Sequence, residues 1–180
     1  FSRVQKNNNS CYPIIAIMMR AKQSCVMPKL MENSLRKLVG AGVISSYNYF
    51  KEALNYSSKL DFVIKTILSR KDNDKGKIIF CHYRDEIDMI ASRLADGGMT
   101  NIATMDGRIG KNKRSEVINE KNNVLILQIQ VGCEGLNLQE NYSEVYFVSP
   151  HWNPAVEDQA IARCHRIGQK NIVSVFKFQM

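Results

Sequence analysis

The residues best suited to phosphate chemistry are two arginines near the end of the chain. Arg163 and Arg166 lie three positions apart in the segment NPAVEDQAIARCHRIGQ, which spans Asn153 to Gln169. Near the end of a helix this spacing puts both side chains on about the same side. Their planar guanidinium groups can donate paired hydrogen bonds to phosphate oxygens and stabilise the charge that builds up when a γ-phosphate is cleaved. The alternative is that both side chains merely complement the dipole at a helix C-terminus.

A second segment with chemical potential is QIQVGCEGLNL, at residues 128–138, which directly follows an apolar run. Gly132 and Gly135 permit a tight turn where the backbone approaches a ligand closely. Asn137 offers an amide donor and an amide acceptor at the tip of that turn. The alternative is a simple turn from a strand into a helix, because two glycines at this spacing carry little information by themselves.

The charge balance favours a polyanionic partner. The chain has 25 Lys and Arg against 17 Asp and Glu, so its formal net charge is +8. Nucleic acid is the commonest partner of such a basic chain, although a merely soluble basic surface gives the same balance. Four basic residues fall within seven positions, namely Arg108, Lys111, Lys113 and Arg114. This cluster predicts a loop and helix start that face phosphates, with an ordinary solvated face as the alternative.

The elements that must position these residues divide the chain into two parts. Residues 1–10 are polar and rich in Asn, as in a linker, and the apolar spacing from Ile14 to Leu38 is helical with an interruption at Pro28. We therefore expect a helical appendage at 1–56 and a separate domain at 57–180.

Short apolar runs alternate with helical patterns throughout the second part. Strands are predicted at 77–81, 101–105, 124–128, 144–148 and 172–178, and helices from 58, at 83–95, at 110–120 and from Asn153, which caps a helix with Pro154 in its first turn. This alternation predicts an α/β fold with right-handed crossovers, in which a mostly parallel sheet carries helices on both faces. Ligands of such sheets gather beyond the carboxyl ends of the strands.

Several absences limit what the chain can do. It has no G-x-x-x-x-G-K-[ST] sequence to cradle a triphosphate, and its acidic pair Asp85-Glu86 starts a helix instead of following an apolar strand. Its five cysteines form no C-x-x-C pair, which predicts a reducing intracellular compartment and no metal site. No apolar run is long enough to cross a membrane. Because the chain begins at Phe1 rather than Met, we expect a piece of a longer protein.

The two chemical segments together resemble a known family. GLNLQ at 135–139, followed by SPHWNPAVEDQAIARCHRIGQ at 149–169, is similar to the Snf-type (SWI/SNF-related) ATPases, superfamily-two helicase-like motors that translocate on double-stranded DNA. The resemblance runs from about Ser58 to the end of the chain. Its motifs are 77–82 as motif IV, the turn at 105–107, 128–138 as motif V and 159–169 as motif VI, with a looser similarity at 19–28.

The resemblance implies a C-terminal RecA-like lobe with distinct roles for its residues. Arg163 and Arg166 would be arginine fingers that reach ATP on the other lobe, with Gln159 beside them. Gly135 and Asn137 would couple the nucleotide to DNA. ATP and Mg²⁺ would bind mainly to the first lobe, which this chain lacks. The resemblance therefore implies a DNA-dependent ATPase in the full-length protein and no ATPase activity in this chain by itself.

The resemblance also implies where DNA and other partners bind. Gln128, Trp152 and Asn153 lie where the family contacts or supports the DNA strand, and Arg108 and Lys111 of the basic cluster are further candidates for DNA contact. The implied partners are double-stranded DNA, the N-terminal RecA-like lobe of the same protein and other protein subunits, with no membrane. The implied location is intracellular, in the nucleus or, for a viral protein, at a replication site or in the virion.

Departures from the family pattern keep two other hypotheses open. Gln128 replaces a common serine, Cys133-Glu134 a glycine and an apolar residue, Ala162 a glycine and His151 a tryptophan. These departures favour a divergent member, viral or parasitic. They also allow a degenerate, non-catalytic lobe that binds DNA or protein. The third hypothesis is an unrelated phosphate-binding α/β domain, which the fold alone would allow.

Overall fold

The computed structural model describes residues 11–46, 48–132 and 135–179, without the side chains of 11–13, Lys111 and Gly132. The predicted linker at 1–10 lies outside the described residues. The chain divides into two compact units, of which the first ends at Ser58 and the second begins at Lys59. This division falls close to the predicted boundary, and the roles assigned to the segments 1–56 and 57–180 stay predictions.

The first unit is helical, as the apolar spacing predicts. It contains α1 (Cys11–Val26), α2 (Glu32–Gly40) and α3 (Lys51–Asn55), with 3₁₀ turns at Pro28–Met31 and Asn48–Phe50. Pro28 opens the turn between α1 and α2, because proline lacks the N–H that would continue the first helix. The predicted N-terminal helical segment is thus confirmed.

The second unit alternates strands and helices around one sheet. Its elements are α4 (Ser58–Leu68), β1 (Lys77–Cys81), α5 (Arg84–Asp96), β2 (Ile102–Met105), α6 (Lys111–Asn119), β3 (Val124–Gln128), α7 (Ile129–Gly132), β4 (Glu144–Phe147), α8 (Pro154–Ile161) and β5 (Ser174–Lys177). The strand order is β2-β3-β1-β4-β5, and each of the four adjacent pairs is parallel. The predicted parallel α/β sheet is therefore confirmed.

Helices cover both faces of this sheet. The chain runs from β1 to β2 in one direction across the sheet and from β2 through β3 and β4 to β5 in the other. Because crossovers are right-handed, this reversal puts α5 on one face and α6 and α8 on the opposite face. The core of the second face combines alternate strand residues, such as Phe80 and Phe147, with Val117 of α6 and Val156 and Ile161 of α8.

The strand register brings the carboxyl ends of three strands level with one another. Cys81 of β1 is paired with Gln128 of β3, and Phe80 is paired with Phe147 of β4. The residues that follow these strands therefore share one edge of the sheet. Helix α8 starts at this edge and returns the chain to the opposite one, where Ser174 donates its backbone N–H to Ser143 before β4 (2.8 Å).

A buried ionic network stabilises the amino-terminal edge of the sheet. Glu144 is fully buried and accepts hydrogen bonds from Arg70, from Asn73 (2.8 Å) and from the Tyr146 hydroxyl (2.7 Å). Lys77, also buried, lies 3.5 Å from the same carboxylate. Burial would raise the pKa of Glu144, but the hydrogen bonds and nearby cations outweigh burial and lower that pKa. The charged residues that open β1 and β4 thus neutralise each other.

Candidate functional site

The site residues predicted from the sequence fall into two regions of the second unit. The first region is the turn after α8, residues 162–169, which we call the α8 turn. The second is the strand-end surface, formed by His82, Gln128 and residues 149–153 at the carboxyl ends of β1, β3 and β4. The segment 129–138 connects the two regions along the chain.

The α8 turn does not continue the helix. We expected Arg163 and Arg166 near a helix C-terminus with helical spacing, but α8 ends at Ile161, so both arginines lie in the turn that follows. Tertiary hydrogen bonds shape this turn. The backbone N–H of Leu138 donates to the Arg163 carbonyl (3.2 Å), and the side chain of Gln169 donates to the carbonyls of Tyr142 (2.9 Å) and Cys164 (3.2 Å). Contacts with the segment before β4 therefore replace helical geometry in orienting the arginines.

The α8 turn brings Arg166 together with Asn137. The Arg166 Nη1 atom donates a hydrogen bond to Asn137 Oδ1 (2.6 Å), and Arg166 is exposed. An amide oxygen is uncharged, so this contact orients the guanidinium without neutralising it. Arg163 is half-buried, and Gln159 is exposed in the last turn of α8. The structure thus joins the segments 128–138 and 159–169 through one side-chain contact.

A cavity of about 480 Å³ opens beside the predicted residues Gly135 and Asn137. Its lining is mostly polar and includes Asn119, the last residue of α6, and Lys121, two residues further on. Gly135 has φ +58°, a left-handed conformation that glycine adopts without strain. Cys133 and Glu134, which depart from the family pattern, lie outside the described residues.

Hydrogen bonds tie the three strand ends of the strand-end surface together. The side-chain amide of Gln128 donates to the His82 carbonyl (3.3 Å). His82 Nε2 lies 3.2 Å from the Ser149 carbonyl, and Lys59 donates to the Ser149 hydroxyl (3.0 Å). Gln128 therefore lies at the predicted edge of the sheet. Its side-chain amide, however, already donates one hydrogen bond within the lobe.

Aromatic rings continue this surface outwards. His82 stacks on His151 with ring centroids 5.6 Å apart and planes 15° apart. His151 in turn lies 5.6 Å from Trp152, which is 83% exposed. As predicted, Asn153 caps α8, because its side-chain oxygen accepts a hydrogen bond from the Ala155 N–H (3.1 Å). The result is a column of rings with its outer end, Trp152, in solvent.

Glu157 stabilises the backbone of His151 in this column, a role that the sequence analysis missed. It is buried, and its carboxylate accepts a hydrogen bond from the His151 N–H (2.6 Å) and pairs with Lys177 of β5 (2.6 Å). Burial would raise the pKa of Glu157, but Lys177 and the His151 N–H lower it. The only feature of the sequence that points to Glu157 is its place as an acidic residue in the first turn of α8. By itself this place indicates a favourable interaction with the helix dipole and not a buried ion pair.

The predicted DNA contact Arg108 is exposed, but its guanidinium is engaged in an ionic network. Arg108 donates two hydrogen bonds to Asp88 (3.0 and 2.7 Å), and its Nε donates to Asp106 (2.8 Å). These carboxylates raise the pKa of Arg108 and neutralise its charge. The side chain of Lys111, the other predicted contact in this cluster, is not among the described side chains. The predicted DNA roles of both residues stay predictions, and the pairing of Arg108 argues for a structural role.

A further cavity, of about 520 Å³, lies at the opposite, amino-terminal edge of the sheet. Lysines and aspartates line it together, including Lys71, Lys75, Asp72 and Asp74, and no predicted site residue is part of its lining. Within the described part of the chain, no group of three or more His, Cys, Asp or Glu is arranged to hold a metal ion. None of the helices in the described ranges is long and apolar enough to span a membrane.

Comparison with known proteins identifies the family. Residues 58–168 match the helicase conserved C-terminal domain, and this match covers more than half of the chain. The chain therefore belongs to the helicase C-terminal domain family. The match includes the motifs at 77–82, 105–107 and 128–138, and all but the last residue of 159–169.

The relatives narrow the assignment from the helicase C-terminal domain family to its Snf-type members. The chain is 36% identical over 121 residues to the TATA-binding protein-associated factor mot1 of Schizosaccharomyces pombe, covering 63% of the chain and 6% of that protein. It is 35% identical to the DNA repair protein RAD5B of Arabidopsis thaliana, covering 68% of the chain and 10% of that protein. A putative SWI/SNF-related regulator of chromatin from the same plant is 35% identical, with 67% and 14% covered.

A solved structure supports the same assignment. The C-terminal part of the Fun30 ATPase domain superposes with a TM-score of 0.61 and 26% identity, covering 67% of this chain and 40% of that one. The predicted resemblance to a Snf-type C-terminal RecA-like lobe is thus confirmed. The chain spans only 6% to 14% of the length of the three relatives named above.

Proposed function

We propose that this chain is the second motor lobe of an ATP-dependent translocase or remodeller that acts on double-stranded DNA. In this proposal the lobe supplies arginine fingers and contacts to the DNA backbone, and it is not an ATPase by itself. The observation that carries the proposal is the hydrogen bond between Arg166 and Asn137, because it joins the α8 turn to the segment that starts at the strand-end surface.

The α8 turn provides the chemistry in this proposal. Arg166 is exposed, and its contact with Asn137 leaves its positive charge available to anionic oxygens. Arg163 lies in the same turn and Gln159 on the helix before it, so α8 and the turn after it carry all three side chains. ATP with Mg²⁺, held mainly by the first lobe, would supply the terminal phosphoryl group that is cleaved. The guanidinium groups would stabilise the charge that develops on its oxygens.

The strand-end surface provides the contacts to DNA. Trp152 is exposed at the outer end of the ring column, and Gln128 and Asn153 lie in the same region. Contacts of such a motor go mostly to phosphates and sugars, so binding should be independent of sequence and sensitive to salt. The basic net charge of +8 supports attraction to the DNA backbone.

The segment 129–138 connects the two regions. It begins directly after Gln128 of the strand-end surface, and it ends at Asn137 and Leu138, which bind Arg166 and Arg163 of the α8 turn. In the proposed motor, this segment is the covalent link through which a change at one region would reach the other. Gly135, in its left-handed conformation, shapes the turn that presents Asn137.

The relatives support a DNA-acting role for the whole protein. The name of one refers to DNA repair and that of another to regulation of chromatin. We extend this to the protein that carries the present chain. Its partners are then double-stranded DNA, the N-terminal RecA-like lobe and other protein subunits, and its location is intracellular, in the nucleus or at a viral replication site.

Substitution of the two arginines in the full-length protein tests the proposal. Arg163→Ala and Arg166→Ala should each lower DNA-stimulated ATP hydrolysis by about a thousandfold or more, the loss expected for an arginine finger. Binding of ATP should change little. Lys170→Ala is the matched control, because it removes an exposed positive charge just after the same turn. Wild-type hydrolysis by both arginine variants would refute the assignment.

One observation favours a second candidate, a lobe that holds DNA or a partner protein without catalysis. Two predicted DNA donors are engaged within the lobe, Gln128 by the His82 carbonyl and Arg108 by two carboxylates. A full-length protein that binds DNA but hydrolyses no ATP with DNA present would favour this candidate over the motor.

A further inference from the structure

Two of the three histidines of the chain lie together in the strand-end surface. The rings of His82 and His151 stack with their centroids 5.6 Å apart and their planes 15° apart. Both residues are half-buried, whereas His165 is exposed in the α8 turn. His151 replaces a tryptophan of the family pattern. This replacement keeps an aromatic ring in the column and adds nitrogen atoms that can take up a proton near neutral pH.

Hydrogen bonds give each ring a partner in both of its charge states. His82 Nε2 lies 3.2 Å from the Ser149 carbonyl, to which it can donate whether the ring is neutral or charged. His151 Nδ1 lies 3.1 Å from both the backbone N and the backbone O of Asn153. Without a proton, Nδ1 accepts from the Asn153 N–H, and with one it donates to the Asn153 carbonyl. A proton can therefore enter the pair without removing the contacts that hold the rings.

The charged groups around the pair are of both signs. Glu86 of α5 accepts a hydrogen bond from the His82 N–H (2.9 Å), and Glu157 of α8 accepts one from the His151 N–H (2.6 Å). Both carboxylates favour a positive charge on the rings, while two lysines oppose it, namely Lys59 of α4, which donates to the Ser149 hydroxyl (3.0 Å), and Lys177 of β5, which pairs with Glu157 (2.6 Å). Two titratable neighbours carry no charge at neutral pH, namely Tyr83 and Cys81, where burial raises the pKa of the thiol.

The pair accommodates one proton more readily than two. Two imidazolium rings stacked at 5.6 Å repel each other, so the first proton opposes the entry of the second. The Trp152 ring, 5.6 Å from the His151 ring, favours a single cation because the face of an indole attracts positive charge. The acid form of the pair is thus one positive charge shared at the base of the exposed Trp152.

We infer that the His82–His151 pair takes up a proton when duplex DNA binds to the strand-end surface. The field of the polyanion favours the charged pair, and by reciprocity the charged pair favours the duplex. Because the bound state then holds more protons than the free protein, the affinity rises as pH falls through the range near 6.5 in which imidazole titrates. The inference rests on the proposed function, since it needs DNA at this surface, and it adds a pH dependence to DNA binding.

Duplex binding by the full-length protein at constant salt, measured at pH 7.5 and at pH 6, tests the inference. One linked proton changes the affinity by at most about tenfold for each pH unit, and we expect the wild-type affinity to rise about fivefold between these two values. Titration calorimetry in buffers with different ionisation enthalpies counts the protons taken up with the duplex. At pH 6.5 this count should be positive in the wild type.

Phenylalanine variants assign the effect to the pair. The double variant His82→Phe/His151→Phe keeps two stacking rings and should lose both the gain in affinity and the proton uptake. His165→Phe is the matched control, because it removes an exposed histidine outside the column, and it should keep both. A double variant with the wild-type gain, or a wild-type protein that binds the duplex without proton uptake, would overturn this inference alone. A wild-type protein that binds no duplex at either pH would overturn the proposed function as well.

Discussion

Two turns of this lobe hold an arginine in opposite ways. In the turn after β2, Arg108 lies between the carboxylates of Asp88 and Asp106, which neutralise it. In the α8 turn, Arg166 contacts the neutral amide oxygen of Asn137 (2.6 Å). Both guanidinium groups are oriented by hydrogen bonds, but only Arg166 keeps a charge to offer to an anion. The charge of the partner, more than the exposure of the arginine, separates a structural role from a binding role.

The strand-end surface adds a second contrast with the α8 turn. A buried carboxylate, Glu157, stabilises the backbone under the ring column, whereas Arg166 and Gln169 of the α8 turn are held by an amide oxygen and by carbonyls. The first arrangement depends on the protonation state of an acid, and the contacts of Arg166 and Gln169 do not. The two regions should therefore respond differently to substitution and to pH.

The largest expected effect comes from giving Arg166 of the α8 turn a charged partner, as Arg108 has in the turn after β2. Asn137→Asp puts a carboxylate beside Arg166 and should neutralise it, as Asp88 and Asp106 neutralise Arg108. We expect the rate of DNA-stimulated ATP hydrolysis by the full-length protein to fall about a hundredfold, the loss typical of one transition-state donor, with little change in ATP binding. Steady-state kinetics measures both quantities.

Asn141→Asp is the control for this substitution. It introduces the same charge four residues further along, in an exposed residue that lines the same cavity as Asn137. If both variants lose the same activity, the change acts through the general field of the cavity and not through Arg166.

A smaller effect is expected from pH. Acid should loosen the strand-end surface and leave the α8 turn unchanged. The pKa of Glu157 is lowered in the folded chain, so its stabilising contribution is present above the ordinary pKa of about 4.3 and is lost as pH falls through the lowered value. We then expect the His151 backbone to loosen and Trp152 to change its surroundings. Trp152 is the only tryptophan of the 180 residues, so its fluorescence reports this segment directly.

Glu157→Gln provides the reference state for that titration. The variant should show the loosened Trp152 spectrum at neutral pH and lose the acid transition, because glutamine cannot form the ion pair with Lys177. Its free energy of unfolding should be lower by about 2 kcal/mol, the value for hydrogen bonds to a charged group. An unchanged acid transition in the variant would show that another group controls the segment.

The pattern of the sequence predicts the sheet well and the α8 turn poorly. The strands Lys77–Cys81 and Val124–Gln128 match the prediction to the residue, since buried parallel strands are continuous apolar runs between turn signals. The residues after Ile161 look compatible with a helix, yet the chain leaves it there. Hydrogen bonds from Leu138 and Gln169 to distant carbonyls decide this, and local propensity contains no information about them.

The partners of the charged residues were equally hidden from the sequence. The short spacing of Asp106 and Arg108 predicts a local contact at best, whereas Asp88 lies 20 residues upstream and reaches Arg108 only because α5 packs beside β2. For the same reason the sequence analysis missed Glu157, whose partner Lys177 lies on a different element. Residue types and motif spacing identified the candidates at the α8 turn, but only the fold shows which of their charges are neutralised.

The proposed role of Arg163 and Arg166 is tested by the affinity of the full-length protein for ADP with aluminium fluoride, a mimic of the phosphoryl group in transit, compared with its affinity for ADP alone. With duplex DNA present, the wild-type protein should bind the mimic much more tightly than ADP. Arg163→Ala and Arg166→Ala should each lose about a thousandfold of that gain, while their affinity for ADP stays the same. If both variants keep the full gain, the two arginines do not complete a phosphate-cleaving site, and the lobe supplies no arginine fingers.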